Sequence, residues 1–157
     1  MRAGFGYDLH PLVKDRPLIL GGIDIPYEMG LQGHSDADVL CHAIADALLG
    51  AAALGDIGEH FPDTDPAYKD ASSIGLLARV GDKVKDAGFR IVNVDATVVA
   101  EKPKLQSHKK AMIMSVSDAL DLSPSDVSVK ATTKEGFGPE GRGEVISAYA
   151  VASIESC

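Results

Sequence analysis

Three ionisable residues, Asp38, His42 and Asp46, recur at every fourth position in a run of mostly small and aliphatic residues, 39–54. Residues four apart share one face of a helix, so on a helix they form a polar stripe along an otherwise apolar rod. Burying such groups costs free energy unless they are hydrogen-bonded, paired or bound to a metal. Two readings stand side by side. Either the stripe is a hydrogen-bonded edge reaching water, or His42 is a metal ligand supported by the Asp46 carboxylate one turn further on. The metal reading needs a partner ligand elsewhere in the chain. Asp8-Leu9-His10 offers a carboxylate and an imidazole two residues apart, which a strand sets side by side on one face. Alone, such a pair is weak evidence.

The elements that must position these groups follow from pattern. Alanine and leucine favour a helix over 39–54. Ser35 or Asp36 is expected to cap its first turn, and Gly55 to end it in a left-handed conformation. Residues 2–10 read as an opening strand, with Phe5, Tyr7 and Leu9 on one face and Asp8 and His10 on the other. Residues 18–25 read as a hairpin turning at Gly21-Gly22, closed by Pro26 and followed by a loop over 27–33. Residues 62–66 form an irregular loop carrying Asp63 and Asp65. Ser72 or Ser73 opens a second helix with Ile74, Leu77, Ala78 and Val84 inward and Gly88 as its stop. A strand over 89–100 alternates Val94, Ala96, Val98 and Ala100 against Asn93, Asp95, Thr97 and Val99, and breaks at 101–104. A third helix covers 105–121 with Met112, Val116, Ala119 and Leu120 inward. A strand over 127–132, a glycine-rich loop over 136–143 and a last strand over 144–154 complete the chain. In that last strand Ser147, Tyr149 and Val151 alternate against Ile146, Ala148 and Ala150.

Strands separated by helices predict an α/β fold, an α+β sandwich: one mixed sheet with helices packed on one face, an inserted hairpin near the N-terminus, ferredoxin-like in general arrangement. The strands also carry small apolar residues on both faces (Ala96, Val98, Ala148, Ala150). That calls for helices on both sides or for sheets packed between subunits. The length of 157 residues suits one domain, 1–157, with a full core. Two cysteines, Cys41 and Cys157, give no disulfide framework and no cysteine zinc pattern, which fits a reducing compartment. The opening residues do not read as a signal peptide, and no apolar run is long enough to span a membrane. A net charge of −8 argues against nucleic acid as a partner. An anionic ligand would need positive charge supplied locally, by a metal or by a few placed lysines and arginines.

Several segments together resemble one family. They are Gly6-Tyr7-Asp8-Leu9-His10, Gly33-His34-Ser35-Asp36-Ala37-Asp38-Val39 with His42, and Asp56-Ile57-Gly58 with Phe61-Pro62-Asp63-Thr64-Asp65-Pro66. Pro103-Lys104, Lys130-Ala131-Thr132-Thr133 and Gly141-Arg142-Gly143-Glu144 complete the set. The chain is similar, over its whole length and in order, to the 2-C-methyl-D-erythritol 2,4-cyclodiphosphate synthase family of the non-mevalonate isoprenoid pathway. The resemblance implies that Asp8, His10 and His42 bind zinc with a position left open. It also implies that Glu135 holds magnesium or manganese against a diphosphate, as suits a hard cation.

The family reaction is a ring closure. A 2-phosphate oxygen of 4-diphosphocytidyl-2-C-methyl-D-erythritol 2-phosphate attacks the β-phosphorus and expels CMP. A phosphomonoester oxygen is already anionic near neutral pH, which accounts for the lack of any nucleophile elbow or Ser-His-Asp arrangement here. The resemblance gives His34 and Thr133 catalytic hydrogen bonds. It places Asp8, His10, His34 and Ser35 at the phosphates, and Asp56, Ile57, Gly58, Phe61, Pro62, Asp63, Thr64 and Asp65 around the methylerythritol hydroxyls. Ala100, Glu101, Lys102, Pro103, Lys104, Leu105 and Gln106, with Ala131, Thr132, Thr133 and Lys134, would hold the cytidine end. Lys104 and Arg142 would bring positive charge. It further implies a homotrimer with sites between neighbours, in the cytoplasm or, for a plant or algal chain, the plastid stroma. The sequence departs from the family in Gly136-Phe137-Gly138-Pro139-Glu140, where members carry a Leu-Gly-Phe type tripeptide before Gly-Arg. The rival readings are a zinc-dependent phosphoester hydrolase and a non-catalytic metal-binding scaffold.

Overall fold

A computed structural model describes residues 1–157. Its first strand, β1 (Arg2–Lys14), and its first helix, α1 (Val39–Ala52), are in closer contact than side chains normally permit. A Cβ built on Gly4 would stand 1.9 Å from the Ala47 carbonyl oxygen, and one on Gly6 would stand 1.9 Å from that of Ala43. Backbone therefore rests on backbone. The helix answers with Ala43, Ala47 and Ala51, all buried. Two strand residues advance about 6.7 Å and four helix residues about 6.0 Å, so the two series keep step. One step beyond Gly6, Asp8 comes level with the first turn of α1, where His42 sits.

Five strands form a mixed sheet in the order β4 (Met29–Leu31), β1, β7 (Val145–Ser156), β5 (Phe89–Val99), β6 (Val127–Thr132). Only the β5–β6 pair is parallel. A separate hairpin joins β2 (Leu18–Leu20) to β3 (Ile23–Ile25) through Gly21 and Gly22, which take φ of 59° and 74°. Helices α1, α3 (Ser73–Asp86) and α4 (Lys109–Leu120) cover one face. Leu40, Ile44, Leu48, Leu77, Met112 and Ile146 are fully buried in the core between. The other face carries no helix layer. Phe5, Tyr7, Tyr149 and Val151 remain 64%, 44%, 40% and 47% exposed there. The expectation of small apolar residues on both faces needs correction. Ala96 pairs with Ala150 and Val98 with Ala148, and all four are buried on the helix-covered face, so helices on both sides are neither needed nor present.

Several local expectations need correction. The cap of α1 is Asp38 and not Ser35 or Asp36. Its fully buried carboxylate accepts the N–H groups of Leu40 and Cys41 at 3.1 Å each, of Gly21 at 3.0 Å and of Gly22 at 2.7 Å. One side chain thus closes the helix N-terminus and pins the hairpin to it. The helix turns at Ala53, at a left-handed φ of 58°, and not at Gly55. Leu54 N–H reaches back to the Leu49 carbonyl at 2.9 Å, and the bend returns Leu54 to the core. The segment 27–33 is not all loop, because Met29–Leu31 pairs with β1 as β4, and a Cβ built on Gly30 would stand 2.3 Å from the Arg16 and Pro17 carbonyl oxygens. A short helix, α2 (Ile57–His60), forms under the cap of Asp56. The third helix starts later than expected, after a 3-10 turn at Gln106–His108, and buries Ser117 more deeply than Ala119. The glycine-rich loop contains α5 (Gly138–Gly141), which folds Glu140 over Ser147 and buries both.

The close approach yields a direct expectation. Gly6→Ala leaves the new methyl overlapping a helix carbonyl, so it should lose stability at or above the upper end of the roughly 1–3 kcal/mol usual for overpacking. Denaturant unfolding measures this. Gly88→Ala is the contrasting control: its Cβ meets nothing within 4 Å, but its φ is 86°, so only backbone strain should count.

Candidate active site

Three side chains converge where β1 passes the first turn of α1. Asp8 Oδ2 lies 3.0 Å from His10 Nε2 and 2.9 Å from His42 Nδ1. The three ligand atoms all fall within 4.8 Å of one another, and each residue is half-buried. The far nitrogen of each ring is also engaged. His10 Nδ1 is 2.8 Å from the Gln32 carbonyl, which can only accept, so that nitrogen carries the proton and Nε2 turns to Asp8. His42 Nε2 is 2.8 Å from Ser73 Oγ. Burial works to raise the Asp8 carboxyl, but the hydrogen bonds and charge of His10 and His42 outweigh it and hold it well below the ordinary carboxylate range. Burial likewise works to lower the His10 imidazole, while the Asp8 hydrogen bond and charge raise it above its ordinary value.

This group is able to hold a metal ion. Two imidazole nitrogens and one carboxylate oxygen are a donor set of zinc sites that keep one position open. Tetrahedral bonds of about 2.0 Å would set ligand atoms about 3.3 Å apart, and separations of 2.9 and 3.0 Å lie close to that span. The residues present fit such an ion.

A cavity of about 400 Å3 opens beside the group, lined by His10, His34, Ser35 and His42 on one side and by Ile57, Gly58, Phe61, Pro62 and Asp63 on the other. Asp46, third along the stripe, makes no hydrogen bond to His42. Its Oδ1 accepts the Ile57 N–H at 2.8 Å, tying the cavity wall to α1. Ser35 lines the cavity, yet its hydroxyl takes the Ala37 N–H at 3.1 Å and stands 3.3 Å from His42 Nε2. Asp56 and Asp65 are absent from the lining and cap the turns beside it. Thr64 is exposed on the same loop. The Asp65 carbonyl lies 3.1 Å from His34 Nε2 and orients that ring.

A second cavity of about 190 Å3 gathers Ala100, Glu101, Pro103, Lys104, Leu105 and Gln106 with Ala131, Thr132 and Thr133. Lys102 stands outside it, in a neighbouring hollow with Tyr27 and Glu28. Lys134 N–H donates to Glu101 at 3.2 Å and Glu135 N–H to Thr133 Oγ1 at 3.3 Å. Glu135 is exposed and takes a left-handed φ of 52°. Arg142 is not a free positive charge, since its Nε donates to Glu144 at 2.8 Å. Leu9 pairs with Ser147, Ser147 with Val99 and Val99 with Thr132. Within one chain Thr132 is thus three strand spacings, about 14 Å, from the β1 edge of the metal-ligand group.

The YgbB family model matches residues 1–155. The chain belongs to that family. The 2-C-methyl-D-erythritol 2,4-cyclodiphosphate synthase of Lachnospira eligens is 60% identical over 156 residues, which are 99% of this chain and 85% of that one. A solved 2C-methyl-D-erythritol-2,4-cyclodiphosphate synthase in its CDP-bound form superposes with a TM-score of 0.90 at 36% identity, over 98% of this chain and 100% of that one. The bifunctional IspDF of Campylobacter jejuni superposes at 0.96 with 44% identity over 99% of this chain, which spans 42% of that longer protein.

In this YgbB family member some site neighbours carry no signal in the sequence pattern. Arg16 donates to the Gly33 carbonyl at 3.2 Å and to the Ser35 carbonyl at 2.9 Å, clamping the cavity rim. Tyr68 and Leu76 line the same cavity. Arg16 sits in a turn and Leu76 in an ordinary helical stripe, and nothing in their spacing singles them out.

The titration of the metal-ligand group gives a pH prediction. His10 is raised in the folded, metal-free chain, so its contribution is full below the unfolded value of about 6.5 and is lost as pH rises through the folded value. Asp8 is lowered, so its contribution is present above about 3.9 and is lost only as pH falls through the folded value. A bound cation competes with the His10 proton. The gap in thermal midpoint between zinc-loaded and chelator-stripped protein should therefore widen from about pH 6 to about pH 8. A gap that stays level would show that proton and metal do not compete at His10.

Proposed function

We propose that this chain converts 4-diphosphocytidyl-2-C-methyl-D-erythritol 2-phosphate to 2-C-methyl-D-erythritol 2,4-cyclodiphosphate and CMP. The observation that carries the reading is the convergence of Asp8, His10 and His42 beside the cavity of His34, Ser35 and residues 57–63, in a chain of this family. Asp8, His10 and His42 would hold zinc. Glu135, with the substrate's own phosphates, would hold magnesium or manganese, since one carboxylate cannot retain that ion alone. Such cations neutralise phosphate charge and favour an in-line approach.

The remaining work falls to the chain itself. The attacking phosphate oxygen needs no base, so positioning and charge stabilisation dominate. His34, its ring oriented by Asp65, and Thr133 would donate hydrogen bonds to the phosphates, with Ser35 beside them. The Asp63 carboxylate suits a polyol's hydroxyls and repels a phosphate, which would set the sugar's direction along the wall of Ile57, Gly58, Phe61 and Pro62. Asp56, Thr64 and Asp65 lie in the turns beside that wall and would meet the sugar only at its rim. The cavity of Ala100, Glu101, Pro103, Lys104, Leu105, Gln106, Ala131 and Thr132, with Lys102 and Lys134 at its rim, would take the cytidine. Arg142 would act only after leaving Glu144.

The two cavities of one chain lie apart across the sheet, and the aromatic face is uncovered. Both support a homotrimer in which one chain's metal group faces a neighbour's cytidine cavity. No helix is long and apolar enough to cross a membrane. The family resemblance supports the cytoplasm, or the plastid stroma for a plant or algal chain.

Phosphorus NMR of the products decides the activity: a cyclic diphosphate with CMP supports synthesis, whereas inorganic phosphate or a linear product marks hydrolysis. Glu135→Gln should keep zinc content and folding while lowering kcat about a hundredfold or more, on the scale of a lost charge-stabilising group. Activity equal to the parent would move the second cation elsewhere. Light scattering of the active protein should give three times the 16.4 kDa chain mass. An active monomer would overturn the shared site.

A further inference from the structure

Ser73 joins α3 to the back of His42. It is 1% exposed, and its Oγ lies 2.8 Å from His42 Nε2. The same hydroxyl makes a hydrogen bond to Asp36 Oδ1, and the Ser73 N–H donates to Asp36 Oδ2 at 3.0 Å. Asp36 is fixed in turn by its own N–H, which donates to the Ala71 carbonyl at 3.1 Å. These bonds have a forced direction. An ionised carboxylate only accepts, and a serine hydroxyl has one proton to give. The Ser73 proton therefore goes to Asp36, and Ser73 Oγ can only accept from His42. His42 must then carry a proton on Nε2, and Nδ1, bonded to Asp8 Oδ2 at 2.9 Å, is the nitrogen whose lone pair a cation would take in place of a proton.

We infer that Ser73, oriented by Asp36, is a positioning residue that sets the tautomer and ring angle of His42 for metal binding. This rests on the reading of Asp8, His10 and His42 as cation ligands. It does for His42 what the Gln32 carbonyl does for His10, with one difference. The Gln32 carbonyl is fixed by the backbone, whose Gln32 N–H donates to the Pro11 carbonyl at 2.9 Å, whereas this acceptor is a hydroxyl that would turn freely without Asp36. The bonds also tie the metal ligand to the first turn of α3, whose Leu76 lines the adjoining cavity. Ser35 Oγ is a poorer candidate on distance, at 3.3 Å from both His42 Nε2 and Ser73 Oγ against 2.8 Å for the Ser73 contact.

The test compares Ser73→Thr with Ser73→Val, which have the same shape and share any packing defect but differ in the hydroxyl. Zinc dissociation constants come from competition with a chromophoric chelator. The Val variant should bind zinc about ten- to a hundredfold more weakly than the Thr variant, the usual scale for losing such a partner. Long-range proton–nitrogen NMR of the zinc-loaded wild-type protein should show His42 protonated at Nε2, with slow solvent exchange. This second measurement needs no variant to fold. Equal affinities in the two variants, or a proton on His42 Nδ1, would overturn the role of Ser73 while leaving the metal site standing. Failure of the wild-type protein to take up stoichiometric zinc would overturn the metal reading and this inference together.

Discussion

The site depends on how closely one helix can approach one strand. Gly4 and Gly6 present only hydrogen to α1, and Ala43, Ala47 and Ala51 present only methyl groups in return. Raising the helix by a single side-chain layer would carry His42 away from Asp8 by more than the length of a hydrogen bond. The convergence of a carboxylate and two imidazoles is therefore a consequence of backbone packing, in which the smallest residues determine where the most polar ones meet. Burial of the alanine face supplies the free energy that holds this approach, through the ordinary transfer of apolar surface from water.

The acidic residues around the site show how a buried carboxylate is made tolerable. Asp38 accepts four N–H groups, Asp46 accepts one from Ile57, and Asp36 accepts both the N–H and the hydroxyl of Ser73. Each is committed to holding backbone in place. Asp8 alone turns its carboxylate to imidazoles. Residues of one type at regular spacing thus do different work, according to whether backbone donors or side-chain donors reach them first.

Much of the architecture was legible in the sequence. Period-two alternation marked β1, β5 and β7, and the alanine-rich run marked α1, because both patterns report one buried face over many residues. The Asp8, His10 and His42 set came from the family resemblance, since pattern alone offered a strand pair and a helical histidine with nothing in their spacing to join them. The role of Asp38 was not. A cap and a stripe residue look alike until the hairpin that Asp38 pins is placed beside it. Nor was the role of Asp46, since a spacing of four says which face a residue occupies but not whether a loop residue such as Ile57 meets it there. Helix α2 is too short for periodicity to register. Ser73 reads as one of two possible caps, and its hydroxyl gains meaning only when α3 packs against α1.

The alternation of β1 also protects the sheet against mispairing. Side chains on a strand change face with every residue, so a slip of one position reverses them all. A slip here would drive Phe5 and Tyr7 into the backbone of α1, where a single added carbon already collides, and would turn Asp8 and His10 away from His42. No intermediate register relieves the clash. Competing pairings of β1 with β7 are thus excluded by sterics before any difference in hydrogen bonding counts, and the chain needs no bulge in β1 to hold the pairing in place.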